Sequence, residues 1–195
     1  MAKITEKLIL RTFEEMLEEQ PFDRITVRGL VTRCEINPNT FYYHYSDIFD
    51  LLEKWIRQEL APYLHPENDF QNWHDSACRF LKQMQKKRTV IYHIFNSLSR
   101  EYLERFVFDD SEDVFVRYVR WRLNGKTVSE QRLLEIADFC RFAYLGFVIR
   151  FLWERMDYDA DQAVEELSGL FELFVEEAIR RFAEPQDSEQ KQWNI

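Results

Sequence analysis

The chain has 195 residues, of which only four are glycine and five are proline, and it carries a formal net charge of −9. This length allows one large domain or two small, closely joined domains with a substantial core, and the scarcity of turn residues beside long apolar-periodic stretches predicts an all-α protein. The acidic balance excludes a general electrostatic attraction to nucleic acid or anionic membranes, so any such binding would depend on a local patch.

The first predicted helix occupies residues 4–20, where apolar residues recur every three or four positions. Thr5 is its predicted N-cap and Pro21 its predicted stop. A second helix of about two turns is predicted behind a Thr26 cap, because apolar residues again follow helical spacing there.

A third helix is predicted to begin at Asn37 and Pro38. Asparagine accepts hydrogen bonds from the first free N–H groups of a helix, and proline suits the first helical position. A fourth helix follows, with Asp47 and Asp50 favouring its first turn and Pro62 as its predicted end. These helices are expected to surround a small core.

The segment 64–69 is the best candidate linker, because it combines proline, asparagine and charged residues. We therefore divide the chain into an N-terminal domain at 1–62, a larger and more aromatic domain at 63–184, and a disordered tail at 185–195.

Two long helices are predicted to close the second domain, over roughly 130–155 and 160–183. Gly146 and Gly169 are nearly equidistant from the connection between them. In an antiparallel hairpin they would lie at similar height, where small residues permit close approach of the backbones.

The second and third predicted helices are short and joined by the tight connection Cys34-Glu35-Ile36, which is the outline of a helix-turn-helix. In that motif the second helix enters the DNA major groove, and its N-terminal residues meet base edges. Phe41 and Tyr45 are assigned inward together with Ile36. The residues assigned to the other surfaces are Asn37, Pro38, Asn39, Thr40, Tyr43 and His44.

These polar side chains suit DNA recognition. Asparagine amides make paired hydrogen bonds to adenine, and threonine donates, accepts or touches a thymine methyl group. Tyr42 and His44 would bind phosphate oxygens, which positions a protein without selecting sequence.

Local charge is compatible with DNA although the total charge is not. Residues 24–46 contain three arginines and one carboxylate, a local charge of +2. The alternative interpretation is that Tyr42, Tyr43 and Tyr45 are ordinary core and rim aromatics of a helical domain.

Two strings in this region carry a family resemblance: FDRITVRGL at 22–30 and CEINPNTFYYHY at 34–45. They resemble the DNA-binding domain of TetR-family transcriptional regulators, and the resemblance covers about residues 5–56. With residues 46–56 included, the chain is most similar to the branch that contains dihydroxyacetone-kinase-operon regulators.

The resemblance implies about nine helices, a homodimer built mainly by the last two helices, and a second domain that holds a small-molecule inducer. By the matching positions, Thr26, Arg28, Asn37, Pro38, Asn39, Thr40 and Tyr43 would face DNA, with Tyr42 and His44 on phosphates. The interface residues assigned on this basis are Gly146, Arg150, Phe151, Phe171, Phe174 and Ala178.

The chain departs from the family pattern at three points. Cys34-Glu35 stands where the family commonly has Ala-Gly, so the turn is expected to differ in shape. Asn39 replaces a small residue before Thr40, which would add or block a base contact. Ile48 replaces a lysine, which removes one phosphate contact.

An apolar, aromatic pocket in the second domain is the candidate ligand site. Its assigned residues are Phe80, Tyr92, Phe95, Phe115, Tyr118, Trp121, Tyr144 and Phe147. The alternative is that these aromatics form plain core. Arg117, Arg120 and Arg122 either recognise an anionic ligand or belong to a solvated helix face.

No metal site, cofactor or enzyme motif is expected, because zinc-like spacings, glycine-rich phosphate loops and nucleophile elbows are missing from the sequence. The three cysteines are unpaired in pattern and typical of a cytoplasmic protein. We predict a homodimeric regulator that binds palindromic double-stranded DNA, a repressor released by a small-molecule inducer. The alternative is a protein-interaction module of the same fold that acts with another regulator.

Overall fold

The computed structural model describes residues 2–64, 73–157 and 159–183. In those ranges the chain forms ten α-helices, one 3-10 helix and no strand, which confirms the all-α prediction. The α-helices are α1 (Ala2–Glu19), α2 (Val27–Arg33), α3 (Pro38–His44), α4 (Ile48–Leu64), α5 (Trp73–Lys86), α6 (Arg88–Phe95), α7 (Arg100–Asp110), α8 (Glu112–Arg122), α9 (Glu130–Trp153) and α10 (Ala160–Phe182). The 3-10 helix, Phe22–Arg24, lies between α1 and α2.

Two predicted helix ends are wrong. Helix α1 begins at Ala2, so Thr5 lies inside it rather than at its N-cap, because Ala2 and Lys3 are themselves good helix formers. Helix α4 continues past Pro62 to Leu64, since a proline in the last turn interrupts only the end of the hydrogen-bond ladder. Of the predicted linker at 64–69, Leu64 belongs to α4, and residues 65–69 lie outside the described residues, as does the predicted tail at 185–195.

The predicted caps of α2 and α3 are confirmed. The Thr26 hydroxyl oxygen accepts a hydrogen bond from the Gly29 amide at 3.1 Å, and the Asn37 side-chain oxygen accepts one from the Asn39 amide at 2.8 Å. Pro38 occupies the first turn of α3. A side chain at Gly29 would place its Cβ 3.3 Å from the Thr26 hydroxyl, so the glycine leaves room for the cap.

The connection between α2 and α3 depends on a left-handed residue. Glu35 has φ 55, and the Ile36 amide donates to the Val31 carbonyl at 3.0 Å, which closes the end of α2. Glycine adopts this conformation without steric cost, whereas glutamate does not. The chain therefore builds at Glu35 the turn conformation for which the family commonly uses glycine.

One hydrophobic cluster continues from α1 through α4 into α5, α6, the end of α9 and the start of α10. A second cluster joins α8, α9 and α10. Helix α6 packs along α1, and the Tyr92 hydroxyl on another side of α6 donates to the Leu152 carbonyl of α9 at 2.6 Å. Helix α6 therefore connects the N-terminal helices to the end of α9.

Charged and polar side chains reinforce the contact between α6 and the N-terminal helices. Lys87, only 18% exposed, pairs with Glu14 of α1 and lies 2.9 Å from Glu59 of α4. Its ammonium group also lies 5.5 Å from the ring centroid of Trp55, whose indole N–H donates to Glu14. At the other end of α6, His93 Nδ1 lies 2.6 Å from the Leu17 carbonyl.

The hairpin of α9 and α10 is confirmed, but the prediction for its glycines is wrong. A Cβ atom added at Gly146 or Gly169 would meet nothing within 4 Å. Both glycines are exposed, so they do not lie where the two helices face each other. The helices are joined across Arg155 and Met156, which have φ 59 and 55, and Asp159 caps α10.

No helix within the described residues is both long and apolar enough to cross a membrane.

Replacing Glu35 by glycine should raise the free energy of unfolding relative to replacement by glutamine by about 1 kcal/mol. Both changes remove the carboxylate, whereas only glycine relieves the left-handed backbone. Urea denaturation followed by circular dichroism compares the two variants, and equal stability would contradict the strained turn.

Lys87→Met should lower the free energy of unfolding by about 2 kcal/mol, because it leaves the Glu14 and Glu59 carboxylates partly buried beside an apolar group. Lys82→Met is the matched control, since Lys82 makes an exposed pair with Asp161 at 2.7 Å, which should contribute less than about 1 kcal/mol. Urea denaturation at neutral pH measures both, and similar losses would show that the Lys87 contacts are no stronger than a surface pair.

Candidate nucleic-acid interface and ligand pocket

Helix α3 presents its aromatic residues on two sides. Phe41 and Tyr45 are buried in the core, as predicted, with 0% and 3% of their surface exposed. Tyr42 and Tyr43 are 58% and 80% exposed. Of the three tyrosines, only Tyr45 is therefore a core residue, and Tyr42 and Tyr43 lie at the surface, as either a DNA-binding or a rim position requires.

The other residues assigned to DNA lie on α2, α3 and the positions directly before them, and each is at least partly accessible. Thr26, Arg28, Asn37, Pro38 and Asn39 are exposed, and Thr40 and His44 are half-buried. The side-chain oxygens of Thr26 and Asn37 each accept one capping hydrogen bond, so the hydroxyl hydrogen of Thr26 and the amide hydrogens of Asn37 remain as donors for another partner. Asn39 follows Pro38 in the first turn of α3, and it is exposed.

The charge on this surface is smaller than the sequence suggests. Arg33 donates to both Glu19 oxygens at 2.5 and 2.7 Å, so it is held against α1. The hydrogen bond to Arg33 lowers the pKa of Glu19, which keeps this pair charged in neutral solution. Within residues 2–64, the guanidinium groups of Arg24 and Arg28 have no such acidic partner.

Ile48 packs against the hydrophobic core as a partly buried residue. The family resemblance implies a lysine at this position, whereas this chain has an apolar side chain that packs against the core. The surface formed by α2 and α3 offers directional hydrogen-bonding groups and the exposed Arg28 rather than a strongly basic patch.

The eight aromatic residues assigned to the ligand site are divided between two hydrophobic clusters. Phe80, Tyr92, Phe95 and Phe147 belong to or pack against the first hydrophobic cluster. Phe115 and Tyr118 belong to the second cluster, with Trp121 beside Tyr118, and Tyr144 contacts both clusters. Trp121 is 40% exposed, whereas helical spacing correctly indicated that the other seven side chains are at least partly buried. Helical spacing could not show which cluster each would join.

Two of the eight, Tyr92 and Phe95, line a pocket of about 530 Å³ between α6 and the end of α9. Its wall also contains Arg88, Arg155 and Trp153. Sequence analysis missed these residues. For Arg155 the reason is local: the bend that brings it to the pocket depends on left-handed backbone at two non-glycine positions, which the sequence does not indicate.

The arginines near Trp121 bind groups of their own chain. Arg120 donates to Glu130 at 2.6 Å, and Arg122 lies 3.8 Å from both Glu172 and Glu176. These contacts favour the helix-face interpretation over recognition of an anionic ligand at this position.

Three of the residues assigned to the dimer interface are buried inside the chain: Phe151, Phe171 and Ala178. They are unavailable to a second copy, and this part of the assignment is corrected. Gly146 and Arg150 are exposed, while Phe174 is half-buried and stacks on Phe139 with ring centroids 4.1 Å apart.

Large apolar side chains that sequence analysis missed lie exposed on the same two helices. Phe142 of α9 is 63% exposed, and Leu170 and Leu173 of α10 are 65% and 69% exposed. The two leucines could have been identified from the sequence, because they are three positions apart on a side of α10 that is otherwise rich in glutamate. We call Phe142, Gly146, Leu170 and Leu173 the outer face of the hairpin.

Comparison with known proteins places the second part of the chain in a family. The model of a TetR-type transcriptional regulator C-terminal region matches residues 71–173, which is more than half of the chain. This match lies outside the helix-turn-helix strings that carry the resemblance, so the two regions support the same family independently.

Two known proteins are similar to this chain. The HTH-type dhaKLM operon transcriptional activator DhaS of Lactococcus lactis subsp. lactis (strain IL1403) is 21% identical over 92 residues, which are 47% of this chain and 49% of that protein. The matched region thus spans about half the length of this relative. A solved structure of the dihydroxyacetone kinase operon activator DhaS has a TM-score of 0.67 at 15% identity, covering 93% of this chain and 99% of that chain.

The solved structure supports the fold, the relative supports the branch, and the C-terminal match supports the family over a region that the motif does not include. The chain belongs to the TetR family of transcriptional regulators, in the branch that resembles DhaS.

Proposed function

We propose that the chain binds palindromic double-stranded DNA as a homodimer, with α3 in the major groove of each half-site. The observation that supports this most directly is the exposed surface of α3, where amide, hydroxyl and phenol groups stand clear of the core. A two-fold dimer would place two such helices on successive turns of DNA.

The residues divide by chemistry. The Asn39 amide and the Thr40 hydroxyl lie at the start of α3, the part of a recognition helix that meets base edges. Tyr42 and His44 lie further along and would bind phosphates, while Tyr43 and, at the start of α2, Arg28 would face the DNA beside them. The Thr26 and Asn37 caps hold the two helix starts in place.

The outer face of the hairpin is the proposed contact with the second copy. Phe142, Leu170 and Leu173 would bury apolar surface on association, and Gly146 would allow a close helix crossing. Two hairpins packed in this way would form a four-helix interface.

Regulation by a small molecule would act on the separation of the two DNA-binding heads. A ligand that binds one arrangement more tightly than the other shifts the population towards it. We predicted a repressor, whereas the Lactococcus relative is named an activator. The same operator binding can support either outcome, depending on where the operator lies relative to the promoter.

Selection from a random duplex pool at one near-physiological salt concentration should enrich a palindrome. Asn39→Ala should then weaken binding to that palindrome by about tenfold or more, with smaller loss on duplexes altered at the base it contacts. Tyr42→Phe should weaken binding to all duplexes alike, by about three- to tenfold, because it removes one phosphate hydrogen bond.

Fluorescence anisotropy with labelled duplexes measures these affinities. The double variant Tyr42→Ala/His44→Ala controls for the selection itself and should enrich no palindrome. Equal losses on every duplex for Asn39→Ala and Tyr42→Phe would contradict the division of roles. No enrichment by a folded, dimeric protein would favour the interaction module instead.

Leu173→Glu should convert the dimer into a monomer, because it places a charge in the apolar contact and weakens association by about 2 kcal/mol or more. Ile4→Glu is the matched control, since Ile4 is equally exposed but lies on α1. Analytical ultracentrifugation measures the oligomeric state, with circular dichroism to confirm folding. A Leu173→Glu variant that remains dimeric would contradict the proposed interface.

A further inference from the structure

The pocket between α6 and the end of α9 combines apolar walls with polar groups. Tyr92 and Phe95 lie on one side with ring centroids 6.4 Å apart, and Leu152 and Trp153 lie on the other. The hydrogen bond from the Tyr92 hydroxyl to the Leu152 carbonyl, at 2.6 Å, fixes the two sides relative to each other. The walls are therefore suited to a flat apolar group.

Two arginines, Arg88 and Arg155, line this pocket, and their side chains differ in their contacts with the rest of the chain. Arg88, the first residue of α6, donates to the Met156 carbonyl at 3.1 Å, which fixes its guanidinium at the rim. Arg155 is carried on left-handed backbone with φ 59, and no hydrogen bond or ion pair joins its side chain to the described residues. One cation is thus fixed in place, and the other makes no such contact with the residues that the structure describes.

The bend that carries Arg155 is itself pinned. The Met156 carbonyl accepts from Gln85 at 2.9 Å as well as from Arg88, and the Met156 side chain is fully buried. Left-handed backbone at non-glycine residues costs free energy, so it persists only where surrounding contacts hold it. These contacts keep Arg155 at the pocket.

Among the described residues no carboxylate lines the pocket, although the whole chain carries a charge of −9. Two acidic groups adjacent in sequence to Arg155 or Met156 lie outside the lining. Asp157 is 3.9 Å from Arg88 and strongly exposed, and Glu154 pairs with Arg150 at 3.0 Å. Burial raises the pKa of Tyr92, while the charges of Arg155 and Arg88 act to lower it, so both cations act on the same polar end of the pocket.

We propose that this pocket binds an organic anion, a carboxylate or phosphate monoester carried on a flat apolar body. Arg155 and Arg88 would bind the anionic group, since guanidinium forks match carboxylate and phosphate oxygens. The exposed Asn96 side chain would donate a further hydrogen bond, and Tyr92, Phe95 and Trp153 would enclose the apolar body.

The position of the pocket suggests how such a ligand would act. Helix α6 carries Arg88, Tyr92 and Phe95 towards the pocket and His93 towards the Leu17 carbonyl of α1. Lys87, which directly precedes α6, holds α1 and α4. A ligand that moves α6 would therefore act on the N-terminal helices. This regulatory role rests on the proposed function, whereas anion binding does not.

Isothermal titration of the full chain with three probes tests the anion site: naphthalene carboxylate, naphthyl phosphate and the neutral naphthalene carboxamide. At least one anion should bind saturably below about 1 mM, and the carboxamide should bind about tenfold more weakly or worse. The preferred anion distinguishes a carboxylate site from a phosphate site.

Arg155→Gln should weaken binding of the preferred anion about tenfold or more and leave the carboxamide unchanged. Arg105→Gln is the matched control, because Arg105 is an exposed arginine that does not line the pocket, and it removes the same charge from the chain. Circular dichroism confirms that both variants are folded.

Equal binding of anions and carboxamide, equal effects of the two arginine variants, or no saturable anion binding would each overturn the proposal. The titration contains no DNA, so its outcome is independent of operator binding. A chain that binds the anion but no palindrome would overturn the proposed function alone, and the reverse result would overturn the pocket alone.

Discussion

The contact of Lys87 with Glu14 and Glu59 joins the N-terminal helices to the rest of the chain. Burial acts to lower the pKa of Lys87, but the hydrogen bonds to the two carboxylates outweigh it, so the pKa is raised. A raised lysine pKa means that the stabilisation is fully present at neutral pH and is lost only as pH rises through the folded-state value. The surrounding packing, including Trp55, therefore depends on an ammonium ion that stays charged under ordinary conditions.

This contact fixes the position of α6 between the N-terminal helices and the end of α9. It is tied to α1 through His93, and to the end of α9 through the Tyr92 hydroxyl. Packed cores change between discrete arrangements rather than deforming continuously, so a shift at one side of α6 has to be accommodated at the other. A regulator that responds to a ligand would need such a connection, whether the ligand raises or lowers transcription.

Much of the N-terminal structure could be predicted because its signals are local. The caps at Thr26 and Asn37 and the inward direction of Phe41 each depend on a few neighbouring residues. The conformation of Glu35 could not be predicted, since glutamate rarely adopts it, and neither could the capture of Arg33 by α1. In the second domain, helical spacing identified inward-facing aromatics, but their division between two clusters follows from long-range packing.

Membership of a regulator family confirms the prediction that the chain is not an enzyme. The net charge of −9, however, opposes the proposed binding to DNA, which is itself negatively charged. Arg33 is neutralised by Glu19, and Ile48 supplies packing in place of a cation. Phosphate neutralisation by a few arginines gives limited affinity and a weak dependence on salt. Sequence-specific binding would therefore have to come from the directional groups of α3 and from the second copy, whose recognition helix doubles the number of such contacts. The outer face of the hairpin is for this reason as necessary to the proposed DNA binding as α3 itself.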